Sequence, residues 1–209
     1  MTSFNASCRE CERLANFMDD VREKYPGYIS RPVPAFGPKS AKLLIVGLAP
    51  GMHGANKTGR PFTGDDSGLL LYKTLNEFGF SNRPESVKLN DGLKLINCRI
   101  TNAVKCLPPQ NKPVGSEVNQ CSQYLKEEIS ALKKGSVILA LGSIAHNATL
   151  KALCLKQSAF EFGHNKLHKL EDGKYLLDSY HCSRYNTQTK RLTTAMFKAV
   201  FRKAKKIVG

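Results

Sequence analysis

Four of the seven cysteines fall into two pairs that could hold a metal. Cys8 and Cys11 form a C-x-x-C near the N-terminus, and fourteen residues separate Cys106 from Cys121. Four thiolates accept either zinc or an iron–sulfur cluster, and the second spacing is too wide for a zinc ribbon. We therefore expect a four-thiolate site, against the alternative of four unrelated thiols.

The other three cysteines have different surroundings. Cys98 and Cys154 stand in apolar stretches and are expected to be buried thiols. Cys182 follows His181, which suggests a nucleophilic Cys–His pair. However, adjacent residues at the end of a strand point in opposite directions, and this disfavours the pair.

A second candidate site begins at a glycine-rich loop. The stretch GMHGANKTGRPFTGD, residues 51–65, follows the apolar run KLLIVGL. A phosphate-binding loop has Gly, four residues, and then Gly-Lys-Ser/Thr, but counted from Gly51 the second glycine falls on Asn56. A Walker-B acid after a later strand is not evident either. A P-loop nucleotide enzyme is therefore the weaker interpretation of this loop.

Alternating strands and helices must position these residues. Apolar runs such as KLLIVGL and SVILAL are typical of strands covered on both faces. Strands are predicted over 42–48, 93–98, 136–141 and 175–180, and helices over 12–24, 67–78, 116–132, 143–153 and 192–208. Ser116 is the predicted N-cap of the third helix, and Gly79 the predicted stop of the second. The pattern predicts an α/β fold with a mainly parallel sheet, helices on both faces and a single domain over residues 1–209.

Polar and aromatic side chains follow each predicted strand. In open α/β sheets the ligand lies outside the carboxyl ends of the strands. We therefore expect one cleft that contains Phe62, Asp65, Asn102, His181, Ser183 and Asn186. The only acids in these segments are Asp65 and Asp66.

The charge balance predicts a polyanionic partner. Thirty-two Lys and Arg against 17 Asp and Glu give a net charge of +15, and such an excess most often indicates nucleic acid. No apolar run of about 18 residues and no secretory signal are visible, so we expect a cytoplasmic protein without a membrane partner. The predicted phosphate contacts flank the cleft loops: Lys57, Arg60, Arg184, Lys190 and Arg191.

Three segments together resemble a known superfamily. These are VGLAPGMHGANKTGRPFTGD, RITNAVKCLPP and SYHCSRYNTQTKRLT. They are similar to signature segments of the uracil-DNA glycosylase superfamily, and most of all to its type b, or family 5, enzymes. The order of Cys8, Cys11, Cys106 and Cys121 resembles that of the [4Fe-4S] ligands shared by families 4 and 5. The resemblance covers nearly the whole chain.

The resemblance implies both a fold and an activity. The fold would be a three-layer α/β/α sandwich around a four-stranded, mainly parallel sheet, with a [4Fe-4S] cluster. The activity would be that of a monofunctional glycosylase, which flips uracil out of DNA, hydrolyses the glycosidic bond and leaves an abasic site. Hypoxanthine and xanthine would be further substrates, in double- or single-stranded DNA, and we expect a monomer. A non-catalytic iron–sulfur protein that binds nucleic acid is the alternative.

The resemblance also implies roles for individual side chains in a base pocket. Phe62 would stack on the flipped base, Asn102 would pair with N3–H and O4 of uracil, and His181 would donate to O2. The substrate-binding set is Gly47, Ala49, Pro50, Gly51, Phe62, Asn102 and His181. Ser183 and Asn186 would join the basic residues in binding DNA.

Asp65 is the implied catalytic carboxylate. Many superfamily members have a polar residue two positions after the first glycine of the loop motif, where this chain has Ala49 after Gly47. An alanine cannot activate water, and the type b group shares that departure. Asp65 could instead be the N-cap of the following helix, although Asp66 is better placed by sequence for that role. A second departure is Cys182, which replaces the proline of the usual His-Pro-Ser.

Overall fold

The computed structural model describes residues 4–209, which form twelve helices and strands besides two short 3₁₀ turns. The helices are α1 Glu12–Lys24, α2 Ala55–Thr58, α3 Asp66–Glu77, α4 Gly115–Ser130, α5 Ser143–Ala152, α6 Arg184–Gln188 and α7 Thr194–Val208. The strands are β1 Leu43–Gly47, β2 Cys98–Asn102, β3 Val137–Leu141, β4 Leu167–Lys169 and β5 Tyr175–Ser179. Within the described residues, no helix combines the length and apolar character that crossing a lipid bilayer requires.

The strands form one sheet in the order β2-β1-β3-β5-β4. The first four are parallel, and β4 pairs antiparallel with β5. The predicted mainly parallel α/β sheet is confirmed, but the predicted count of four strands is wrong by one. The missed strand has three residues at the sheet edge, and two of them, Leu167 and Lys169, are exposed. A strand this short carries too little alternation to be recognised in a sequence.

Both faces of the sheet are covered, which makes the fold three-layered. On β1, Leu43 and Ile45 belong to one apolar cluster and Leu44 and Val46 to another, and all four are fully buried. Helices α3 and α7 cover the first face, and α4 and α5 cover the second. This two-sided burial explains why the strand has no polar alternation.

Strand β2 lies further along the chain than predicted. The apolar run over 93–98 contributes an isolated bridge between Ser81 and Leu95, whereas the strand itself is Cys98–Asn102. Its register aligns Asn102 with Gly47 at the end of β1. Polar residues such as Arg99 conceal this strand, while Leu95 fills the core from a loop. Asn102 is therefore the last residue of a strand, which fixes its backbone.

Two helix ends test the capping predictions. Helix α4 has Val114 as its N-cap, so the prediction of Ser116 is wrong; Ser116 lies inside the first turn. The valine side chain cannot accept a hydrogen bond, so α4 has no side-chain N-cap. Instead, the Glu117 carboxylate accepts a hydrogen bond from the Val114 N–H at 2.8 Å. Gly79 follows α3 with φ of +74° and donates to the Asn76 carbonyl, as a C-terminal stop does.

Helix α1 packs away from the sheet, against the loop after β2 and against α4. Its Leu14, Met18 and Val21 contact a cluster that includes Val104 and Tyr124. Cys106 and Cys121 belong to the same cluster, with Cys8 and Cys11 packed against it. The packing of α1 therefore brings the N-terminal cysteine pair to the other two cysteines.

Candidate active site and cysteine cluster

A cleft of about 480 Å³ opens at the carboxyl ends of the parallel strands. That volume lies within the range of roughly 300–1,000 Å³ that is usual for small-molecule sites. Of the predicted residues, the structure brings eight to its lining: Ala49, Gly51, Phe62, Asp65, Asn102, His181, Ser183 and Arg184. Pro50 is buried and is not part of the cleft lining, unlike Ala49 and Gly51 on either side of it.

Phe62 forms an aromatic wall of the cleft. Its backbone is left-handed, with φ of +53°, and its side chain is 6% exposed. The ring lies directly against Gly47, where a Cβ would approach to 2.7 Å of its Cζ. The preceding carbonyl, that of Pro61, accepts a hydrogen bond from the Tyr72 hydroxyl at 2.8 Å. These contacts hold an unfavourable backbone conformation that aims the ring at the cleft.

Asn102 presents its amide at the end of β2. The side chain is 3% exposed and lines the cleft, and among residues 4–209 its amide has no hydrogen-bond partner. Gly47 is its neighbour in the sheet and lies so close that a Cβ there would overlap the Asn102 Oδ1. One acceptor and two donors are thus available to a ligand.

His181 lies just beyond β5 and shares the cleft with Phe62. The two rings stack with centroids 5.9 Å apart and planes at 27°. Exclusion of water by the surrounding protein lowers the pKa of His181 to about 4. The imidazole is therefore neutral at physiological pH and carries one N–H donor. The Asn186 amide donates to the His181 carbonyl at 2.8 Å, so Asn186 steadies the loop from outside the cleft lining.

Asp65 both caps α3 and faces the cleft. Its Oδ1 accepts a hydrogen bond from the Gly68 N–H at 3.0 Å, so the expectation that Asp66 is the better-placed N-cap is wrong. Asp66 is the first helical residue instead, because the extended backbone of Asp65 directs its carboxylate to the first turn. The other oxygen lies against Gly54, where a Cβ would overlap it. Burial raises the pKa of Asp65 above the usual carboxyl value, although hydrogen bonds from backbone N–H groups oppose the rise.

Most of the predicted basic residues are exposed near the cleft. Lys57, Arg184, Lys190 and Arg191 are accessible to a phosphate backbone. The Arg184 Nε lies 3.7 Å from Asp66 Oδ2, and the Arg191 guanidinium lies 4.8 Å from the centroid of the Tyr180 ring. Ser183 accepts from the Asn186 N–H and so caps the short helix α6 that carries Arg184.

Arg60 does not belong to this set, and its predicted DNA contact is wrong. The side chain is 2% exposed and forms an ion pair with Asp91 at 2.9 Å. It also donates to the Leu89 carbonyl and lies 4.5 Å from the centroid of the Phe36 ring. A guanidinium so engaged anchors the loop over 82–92 and cannot reach a phosphate.

The structure adds residues that sequence reasoning missed. His53 and Asn111 line the cleft, and the Tyr28 hydroxyl lies 2.8 Å from the His53 Nδ1. His53 shares a loop with Phe62, and Asn111 belongs to the segment LPPQN directly after Cys106. Their closeness in sequence to predicted site residues was the signal that could have identified them.

The four predicted metal-binding cysteines line one small cavity, of about 20 Å³. Tetrahedral zinc with bonds of about 2.3 Å would require sulfur atoms about 3.8 Å apart. Among residues 4–209, three metal-capable atoms within 4.8 Å of one another occur at His146, His168 and Asp178, and not at the cysteines. No three of the four cysteine sulfurs therefore lie within 4.8 Å of one another, as the sulfurs around a single tetrahedral zinc would.

The remaining cysteines are free thiols in three environments. Cys98 is fully buried, as expected, whereas Cys154 is exposed, contrary to expectation, because the chain turns there with φ of +58° after α5. Cys182 is buried, and its thiol donates to the Ser67 carbonyl at 3.5 Å. Its side chain does not reach the cleft that His181 lines, so the two residues form no nucleophilic pair.

The group of His146, His168 and Asp178 lies apart from the cysteines and is held together by hydrogen bonds of His146. The His146 Nδ1 lies 2.8 Å from Asp178 Oδ1, and its Nε2 lies 2.8 Å from the Phe160 carbonyl oxygen. Both nitrogens face oxygen atoms, so a protonated ring can donate to Asp178 and to the Phe160 carbonyl at once. Burial lowers the pKa of His146, but the hydrogen bond and charge of Asp178 outweigh it and raise the pKa above its ordinary value.

Comparison with known proteins identifies the family. The sequence pattern of the Uracil DNA glycosylase superfamily matches residues 34–205. The chain is 45% identical to the Type-5 uracil-DNA glycosylase of Thermus thermophilus, over 97% of this chain and 94% of that protein. It is 41% identical to the Type-5 uracil-DNA glycosylase of Pyrobaculum aerophilum, over 95% of this chain and 88% of that protein. The Type-4 uracil-DNA glycosylase of Archaeoglobus fulgidus is 33% identical over 66% of this chain. The chain therefore belongs to the uracil DNA glycosylase superfamily, in its type-5 group.

Proposed function

We propose that this chain removes uracil from DNA by hydrolysing the glycosidic bond of a flipped nucleotide, which leaves an abasic site. One observation carries the proposal: an unpartnered amide, a neutral imidazole and a partly buried carboxylate face the same cleft beside an aromatic ring. These are the side chains of Asn102, His181, Asp65 and Phe62. A base held among them is bound, polarised and open to attack.

Recognition of the base depends on Phe62 and Asn102. Stacking on an aromatic ring contributes about 1–3 kcal/mol per base and tolerates different bases. The Asn102 amide can accept from N3–H of uracil and donate to O4, whereas cytosine presents the opposite pattern. Because Asn102 lacks a protein partner, a base that fails to pair with it leaves a buried amide unsatisfied, and this disfavours the wrong base.

His181 stabilises the departing base. As the bond from C1′ to the base breaks, its electron pair moves onto the base and negative charge develops at O2. A neutral imidazole with one N–H can donate to that oxygen, and removing such a donor from an enzyme costs about 10²–10³ in rate. The stacked Phe62 ring and the hydrogen bond from Asn186 hold the imidazole in place.

Asp65 directs the attacking water. The water oxygen bonds to C1′, and the carboxylate accepts its proton as the base leaves. A positioned general base contributes about 10²–10⁴ in rate. Ala49 lines the same cleft but has no group that can take a proton. The bond between Asp65 and Gly68 fixes one carboxylate oxygen and leaves the other toward the cleft loop.

The exposed basic residues position DNA around the cleft. Lys57, Arg184, Lys190 and Arg191 contact phosphates, and Ser183 caps the short helix α6 that carries Arg184 and Asn186. Tyr185 is 71% exposed on that helix and is available to contact the duplex. The net charge of +15 supports binding to double- or single-stranded DNA by one copy of the chain.

Cys8, Cys11, Cys106 and Cys121 hold a [4Fe-4S] cluster in this proposal. When bound, the cluster supplies cationic iron that stabilises four thiolates, in a cavity where burial otherwise raises the pKa of Cys121 to about 11. The four residues connect α1 to the segment that ends at Asn111 in the cleft. Replacing Cys121 with serine should abolish visible absorbance and bound iron. Replacing the exposed Cys154 with serine should leave both unchanged, and a colourless, zinc-loaded wild type would contradict the cluster.

The decisive test is base release from a defined duplex. A labelled duplex with one uracil is incubated with the protein and then treated with alkali, which cuts at abasic sites. Strand cleavage after alkali, and none before it, is the expected result. His181→Ala should slow release while preserving the melting temperature. Tight, salt-dependent binding without release would instead support the non-catalytic alternative. Duplexes with hypoxanthine and xanthine define the range of deaminated bases.

A further inference from the structure

Two tyrosines form a stacked pair beside the cleft. Tyr25 follows α1 and Tyr28 lies in the next turn, and their ring centroids are 4.8 Å apart with planes at 18°. His53 stands perpendicular to both, at 6.0 Å from Tyr25 and 5.9 Å from Tyr28. The Tyr28 hydroxyl is hydrogen bonded to the His53 ring. The pair is only partly buried, so part of its aromatic surface faces solvent.

A lysine lies over each ring. The Lys24 Nζ is 5.7 Å from the Tyr25 centroid, and the Lys57 Nζ is 5.5 Å from the Tyr28 centroid. Both lysines are exposed, and within residues 4–209 neither forms an ion pair with a carboxylate. An exposed amine over an aromatic ring contributes only about 0.5–1 kcal/mol, so a better stacking partner can displace it.

His53 joins this group to the base cleft. It lines the cleft, while its ring also packs against both tyrosines. The aromatic surface is therefore continuous with the wall of the site that holds the flipped nucleotide. Packing against α1 accounts for the inner edges of the tyrosines, but it does not require two cations over the rings.

We propose that Lys24, Tyr25, Tyr28 and Lys57 form a subsite for an unpaired nucleotide of the DNA strand, next to the nucleotide held in the cleft. The inference rests on the proposed glycosylase function. The unpaired base stacks on the tyrosine pair in place of a lysine, which contributes about 1–3 kcal/mol per base. Lys24 and Lys57 then contact the phosphates that adjoin this base. The subsite favours uracil in single-stranded or locally melted DNA, because a paired neighbour cannot leave its stack.

The test measures stacking of a base at the subsite by fluorescence and does not require excision of uracil. Single-stranded oligonucleotides carry uracil with 2-aminopurine on one side or on the other, and stacking on an aromatic ring quenches the fluorescence of that base. Wild-type protein should quench one of the two positions. Tyr28→Leu should lose the quenching and raise Kd for the single strand about tenfold, whereas Tyr28→Phe should retain the quenching because the ring remains. Melting temperatures verify that each variant is folded.

A second pair of variants tests the lysines on the surface. The double variant Lys24→Ala, Lys57→Ala should lower the magnitude of the salt slope for single-strand binding by about 1.4, since each phosphate contact contributes about 0.7. Lys206→Ala, an exposed lysine of α7, should leave the slope unchanged.

The outcomes separate this inference from the proposed function. Unchanged quenching and Kd in Tyr28→Leu would overturn the subsite, even if the protein excises uracil normally. An equal loss on single-stranded and fully paired substrates would also overturn it, because that result would indicate general weakening. Failure of the wild type to release uracil would overturn the glycosylase, whereas quenching at one position would still report the subsite.

Discussion

Oδ1 of Asp65 accepts a hydrogen bond from the backbone N–H of Gly68 at 3.0 Å, so the carboxylate that faces the cleft is also the N-cap of α3. The two roles require different properties of the side chain. Capping needs an acceptor oxygen, whereas proton transfer needs a negative charge. A substitution that preserves one property and removes the other can therefore separate them.

Asp65→Asn is expected to keep the N-cap of α3 but to lose the carboxylate that accepts the proton of the attacking water. Asparagine caps helices about as well as aspartate, so the free energy of unfolding should stay within a few tenths of a kcal/mol of the wild type. Excision should fall by about 10²–10⁴. Asp65→Ala should show the same fall in rate and a further loss of about 0.5–2 kcal/mol in stability. Single-turnover excision and urea unfolding measure the two effects, and a fully active Asp65→Asn would remove the carboxylate from the mechanism.

His181 should make the protein less stable in acid. Its pKa is about 4 in the folded protein and about 6.5 when unfolded, so between these values the unfolded chain binds the extra proton. The free energy of unfolding should therefore fall as pH drops through that window. His181→Asn should reduce this slope in urea titrations between about pH 7 and about pH 5.

His146 should have the opposite effect on the pH dependence of stability and therefore serves as a comparison for His181. Its raised folded pKa means that its contribution is present below about pH 6.5 and is lost as pH rises through the folded value. An unaltered acid slope in His181→Asn would show that the pKa of this imidazole is not lowered in the folded protein.

Gly47 should tolerate no side chain, because both neighbours in the cleft occupy that space. A Cβ there would overlap the Asn102 Oδ1 and lie 2.7 Å from the Phe62 Cζ. Gly47→Ala should reduce excision at least tenfold and stability by about 1–3 kcal/mol, as overpacking does. Gly115→Ala is the matched control, since a Cβ at that position meets nothing within 4 Å. Equal effects of the two substitutions in excision assays and urea unfolding would contradict the packing described for the cleft.

Substitutions of Arg60 and Lys190 should affect different properties, the first the stability of the fold and the second the binding of DNA. Arg60→Ala leaves Asp91 without its buried partner and should lower the free energy of unfolding by about 3–5 kcal/mol. Lys190→Gln should leave stability unchanged and reduce the magnitude of the salt slope for DNA binding by about 1. Urea unfolding and binding at several salt concentrations provide the two measurements. The reverse pattern would return Arg60 to the DNA interface.

The sequence predicts the buried strands better than the marginal ones. β1 and β3 are continuous apolar runs because helices cover both faces of the sheet, and this burial leaves a strong signal. β2 mixes Arg99 and Thr101 with apolar residues, so the apolar run before it was mistaken for the strand. Its position depends on pairing with β1, which is a long-range contact that local pattern cannot show.

The same limit applies to the site. Asn102 and His181 could be predicted because they lie in segments that follow predicted strands, and parallel strands bring such segments together. The sequence predicts a DNA contact for Arg60 because it is a basic residue that flanks a cleft loop. Its partner Asp91 stands 31 residues away, and nothing local reveals that ion pair. Exposure depends on tertiary packing, so composition alone could not separate this buried cation from the accessible ones.

The cysteine cluster spans three distant parts of the chain: the start of α1, the loop after β2, and α4. During translation Cys8 and Cys11 are synthesised well before Cys121, so the four-cysteine site cannot be complete until α4 has been made. If these cysteines hold iron, as proposed, loading of the metal would be a separate step that follows the synthesis of Cys121, whereas apolar contacts of Leu14, Met18 and Val21 hold α1 in place. Repair capacity would then track metal supply as well as gene expression.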